Sequence, residues 1–76
     1  MSALHDLVAG ELGKIGMRAQ DKIEDSASWV KVSEELGTAW DELHGRRFEE
    51  AATIAARVKV KVDLIIKEEN RGTGRR

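Results

Sequence analysis

Two histidines, His5 and His44, are the only imidazoles in this 76-residue sequence, and any metal or acid–base chemistry would have to be built around them. A zinc ligand needs two or three further ligands, and a general base needs a nucleophile or substrate proton within reach. His5 has Asp6 beside it and His44 has Asp41 and Glu42, the ordinary neighbours of a helical turn, and no third ligand is spaced to join them. They read as a first-turn surface residue and as a helix C-terminal residue interacting with the dipole. Four carboxylate pairs are present, Glu34/Glu35, Asp41/Glu42, Glu49/Glu50 and Glu68/Glu69. Adjacent residues on a helix point about 100° apart, so none of these pairs can share a proton. Cysteine is absent, which excludes disulfide scaffolds, cysteine zinc sites, iron–sulfur clusters and thiol nucleophiles. No phosphate-cradling glycine loop or nucleophile elbow occurs. The chain is also too short to wall off a substrate pocket of several hundred Å³. We therefore expect no enzyme activity, cofactor or metal.

Recognition chemistry is better represented. Trp29, Trp40 and Phe48 are the only aromatic residues of the Phe, Trp and Tyr class, and all fall in the central third. Tryptophan pins thin cores, and it is also enriched among interface hot spots, so these three are the candidate partner-binding residues. A nucleic-acid alternative rests on residues 32–48. Val32, Ser33, Leu36, Gly37 and Leu43 resemble the apolar, small and glycine pattern of a helix-turn-helix, and Trp29, Val32, Leu36 and Phe48 resemble the tryptophan spacing of Myb-like modules. That resemblance implies a DNA-binding regulator with Arg46 and Arg47 near the phosphates. The implied recognition helix opens with Trp40, Asp41 and Glu42, whose carboxylates phosphate repels, so the reading ranks second. Gly13-Lys14-Ile15-Gly16 resembles the GxxG loop of KH domains, but Lys22 stands where that pattern wants an apolar residue and no sheet is legible. Arg71, Arg75 and Arg76 form a basic end that could touch phosphate without specificity.

The elements that must position these residues are read from periodicity. Leu4, Leu7, Val8, Leu12, Ile15, Ala19 and Ile23 recur at helical spacing and predict a first helix over about 3–24. Gly10, Gly13 and Gly16 interrupt it, each costing up to ~1 kcal/mol relative to alanine, a cost that close approach of another helix would offset. Asp25-Ser26-Ala27-Ser28 reads as a connector. A short second helix is expected over about 33–44, capped by Ser33 and ended at His44-Gly45, with Trp29–Val32 either an extended lead-in or an earlier start. In the last segment Phe48, Ala51, Ala55, Val58, Val62 and Ile65 follow a coiled-coil spacing, while Val58, Val60, Val62, Leu64 and Ile66 alternate like a strand. No glycine, proline or asparagine stops a helix between Arg46 and Lys67, so a third helix over about 46–69 is favoured. The fold class is then all-α, two long helices and a short central one. The alternative is α+β, with a strand at about 57–66 pairing across a dimer.

Size and charge set the functional expectation. Surface scaling for 8.4 kDa implies that folding hides only roughly 60% of the chain's surface. A core that thin favours self-association, for which Val58, Val62 and Ile65 are the candidate seam, and a homodimer is expected. The formal charge of −1 combines an acidic front with a basic back: residues 1–50 hold 11 acidic and 6 basic side chains, residues 51–76 hold 3 and 7. No apolar run reaches the ~18 residues of a membrane span, and the first residues lack the pattern of a signal peptide, so a soluble, cytoplasmic protein is expected. One domain over 1–70 with a mobile basic tail at 71–76 completes the organisation. The expected function is binding: a small regulatory or adaptor protein, an inhibitor or accessory factor of the kind viruses also encode, acting on another protein.

Overall fold

In the computed structural model, which describes residues 3–73, the chain forms three helices: α1 (Ala3–Lys22), α2 (Ser26–His44) and α3 (Phe48–Thr73). They run up, down and up as an elongated bundle of 48 × 19 × 16 Å, each packing on the other two. The fold is all-α. The stretch 57–66 is helical, and the strand alternative is overturned. Its β-branched residues cost helix propensity of only a few tenths of a kcal/mol each, whereas the helix buries Val58 and Val62 and pairs its backbone within the segment, where a lone strand would need a partner strand.

The central helix is longer than the sequence predicts. It begins at Ser26, so Trp29, Val30 and Val32 are its first turns and not an extended lead-in. The capping residue is Asp25, whose carboxylate accepts from Ser28 N–H and from Ser28 Oγ–H, both at 2.9 Å. Ser33, expected as the cap, lies inside the helix and donates its hydroxyl to the Val30 carbonyl. Glu69 of α3 reaches back to the same corner, accepting from the backbone N–H groups of Glu24 and Asp25 at 3.0 Å. At its far end α2 closes with Arg46 N–H bonded to Leu43 O and Arg47 N–H to Glu42 O, the paired bonds of a Schellman turn. Arg46 therefore sits at φ 66°, the left-handed position that glycine usually takes, while Gly45, one residue earlier, has φ −82°. α3 continues through Asn70-Arg71-Gly72, where its end was expected, to Thr73.

The core is built from one stripe per helix: Val8, Leu12, Ile15, Ala19 and Ile23 from α1, Val32, Leu36, Ala39 and Leu43 from α2, Ala51, Ala55, Val58 and Val62 from α3. Trp29, Trp40, Phe48 and Ile65 pack partly buried against it. Charges of the first 50 residues meet charges of opposite sign from the last 26 through this packing. Lys61 of α3 pairs with Glu35 of α2, and Arg18 of α1 with Asp63 of α3 at 3.2 Å. Among the described residues no helix is long and apolar enough to cross a membrane.

Candidate functional site

Two contacts fix how α2 is oriented. The Glu35–Lys61 pair marks the side of α2 that faces α3. A Cβ on Gly16 would lie 3.7 Å from Leu36 Cδ1, which marks the adjoining side, about 100° round the helix, as facing α1. Trp29 and Trp40 share the Leu36 side: they are 11 residues apart, three turns, so their directions differ by about 20° and their positions by about 16 Å. Both tryptophans are half-buried, each resting on the core while leaving part of the ring on the surface.

The same period places Gly13 on the outer α1 flank toward α2, with Met17 and Gly10 turned further out, nearly opposite the buried Ala19, and places Ser33 and Gly37 on the outer α2 flank toward α1, with Val30 beyond them. Met17 is 73% exposed. By the same period Asp6 falls in line with Gly13 and Met17, and Asp41 in line with Val30, so carboxylates border the glycines on both helices. The helix approach expected to offset the glycines is present only at Gly16. At Gly10, Gly13 and Gly37 a Cβ would meet nothing within 4 Å, so the chain's own packing does not require glycine at any of the three.

The histidines come to one end of the bundle and there join aromatic rings. His5 stands edge-on to Phe48, centroids 6.1 Å apart and planes at 79°, and His44 stacks on Trp40 at 6.1 Å and 29°. The Trp40–His44 pair was legible as an i, i+4 neighbour on a helix. The His5–Phe48 contact, between the starts of α1 and α3, had no signal in the sequence. Among the described residues no group of three or more histidines and carboxylates comes together that could hold a metal ion.

Three expectations about sites meet the structure differently. The residues of the proposed self-association seam, Val58 and Val62, are 0% and 1% exposed inside the monomer, and Ile65 is partly buried beside them. The coiled-coil spacing is satisfied by α1 and α2 of the same chain, so that seam is not available to a second copy. The helix-turn-helix at 32–48 requires a turn at Gly37, and α2 passes through Gly37 unbroken. Ser33 to Thr38 keep their helical bonds because the apolar stripe Val32, Leu36, Ala39, Leu43 favours continuity over the single glycine. Gly13 to Gly16 likewise lie in mid-helix, not in a GxxG loop. Arg46 is exposed in the α2–α3 turn, and Arg47 beside it is bound to the Glu42 carboxylate, whose hydrogen bond and charge raise the guanidinium's pKa further. Arg71 is exposed on the last turn of α3, and Arg75 and Arg76 lie outside the described residues.

No protein-family model, curated protein or solved structure matches the chain significantly.

Proposed function

We propose that this chain is a small non-enzymatic regulatory or adaptor protein that acts by docking its α1/α2 face on another protein. The observation that supports this most is the pairing of Trp29 and Trp40 with glycines that the monomer does not use. Each mid-helix glycine costs about 1 kcal/mol relative to alanine, and at Gly10, Gly13 and Gly37 internal packing offers nothing in return. A bare backbone at Gly13 and Gly37 beside two half-buried indoles suits a partner backbone that must approach closely while the ring edges supply apolar anchors.

The test uses glycines because tryptophan replacements also touch the core. Gly13→Leu and Gly37→Leu point their side chains into open space and improve helix propensity. Both variants should unfold at a higher temperature than the native chain, yet fail to retain the protein partner captured from nuclease-treated cell extract. Capture that survives both substitutions would sink the reading. Capture that depends on nucleic acid would favour the DNA-binding alternative instead.

A further inference from the structure

The opposite face, between α1 and α3, presents a different surface. α1 and α3 are parallel, and the groove between them is lined by Leu4, Leu7 and Glu11 on one side and by Ala52, Ala56 and Lys59 on the other. Leu4 is 45% and Leu7 68% exposed, an apolar area the monomer leaves uncovered. Further along, Arg18 and Asp63 face each other at 3.2 Å across the same groove.

We propose that this face pairs two copies of the chain about a two-fold axis parallel to the helices. Such an axis lays α1 of one copy over α3 of the other at the same level. The order of side chains is then self-complementary. Large Leu4 and Leu7 meet small Ala52 and Ala56, Glu11 meets Lys59, and Arg18 meets Asp63, each match occurring twice. At the Glu11 level four charges of alternating sign close a square. A two-fold axis perpendicular to the helices at that level would lay α1 on α1 and Glu11 on Glu11, so the charges select the parallel arrangement. Docking on the α1/α2 face does not enter this argument, and either reading can fail without the other.

Sedimentation of the full chain over a concentration series tests the pairing. The native protein should be dimeric, and Leu7→Asp, which alters an exposed side chain, should be monomeric with an unchanged helical spectrum. Glu11→Lys and Lys59→Glu should each weaken self-association at least tenfold. Mixed together they should form a heterodimer, because one variant then carries two cations at positions 11 and 59 and the other two carboxylates, so every charge meets its opposite across the axis. An ion pair confined within one chain cannot produce that recovery. A native chain that stays monomeric at several hundred micromolar, a Leu7→Asp dimer, or two charge variants that ignore each other would each overturn the proposal.

Discussion

Arg46 occupies the one backbone position among the described residues where a side chain sits at positive φ. A Cβ in the left-handed region crowds the following carbonyl, at a cost of roughly 1–2 kcal/mol, and glycine escapes it. The turn places that demand at residue 46 because Arg46 and Arg47 N–H must reach the Leu43 and Glu42 carbonyls, the second and third from the helix end. Gly45 was legible as the end of the helix, but the left-handed residue falls one position later. Arg46→Gly should therefore stabilise the fold by about 1 kcal/mol, raising the thermal midpoint by roughly 4–8 °C in a chain of this length. A midpoint that falls or does not move would mean that Arg46 contributes a contact large enough to offset the strain. Arg47, whose guanidinium is held by Glu42, should remain untouched by the change.

At the scale of elements, the corner between α1 and α2 depends on two carboxylates. Asp25 accepts the Ser28 backbone and hydroxyl hydrogens, which hold its pKa below the usual carboxylate value, the backbone bond contributing most. A depressed folded-state pKa means stabilisation that is complete above the unfolded value near 3.9 and is lost as pH falls through the folded one. Asp25→Ala should lower the midpoint by several degrees at pH 7, and the gap from the native chain should narrow as the pH drops below about 4. Asp25→Asn keeps an acceptor for Ser28 without a titrating group, so it should fall between the two at pH 7 and show the flatter pH profile. A gap between native and alanine proteins that stays constant from pH 7 to pH 2.5 would contradict the assignment. This corner also shows what could be read in advance. Asp25-Ser26-Ala27-Ser28 was recognisable as a run of capping residues, but Ser33 with Glu34 and Glu35 offered an equally good start. What decides between them is tertiary: starting at Ser26 brings Trp29 and Val32 onto the core and lets Glu69, 44 residues away, accept from the Asp25 N–H. No local pattern carries that. The helix at 57–66 was readable for the opposite reason, since the absence of any breaker and the unbroken spacing from Phe48 to Ile65 are both local.

For the molecule as a whole, the same spacing has a second consequence. A row of apolar residues at coiled-coil intervals states that a helix is covered along one side but not by which chain covers it. Residues Ala51, Ala55, Val58 and Val62 are covered by α1 and α2, and the surplus apolar surface appears elsewhere, at Leu7, which follows the first helix's stripe in sequence yet points well away from its core line of Val8, Leu12 and Ala19. The candidate interface was partly legible through its glycines and tryptophans, whereas the α1/α3 face depends on two helices being parallel and adjacent, which only the fold supplies. An aspartate in the row should therefore act on folding, not on association. Val58 is fully buried, so Val58→Asp must either bury a charge or protonate, at a cost of several kcal/mol. Small domains have about 5–15 kcal/mol in total, and this one, with a core of small side chains, belongs at the low end. Circular dichroism of Val58→Asp and Val62→Asp should show loss of the helical signal at 25 °C and neutral pH, in contrast to a fully helical Leu7→Asp. A helical, monomeric Val58→Asp protein would instead return the seam to the dimer and require α3 to be uncovered in the isolated chain.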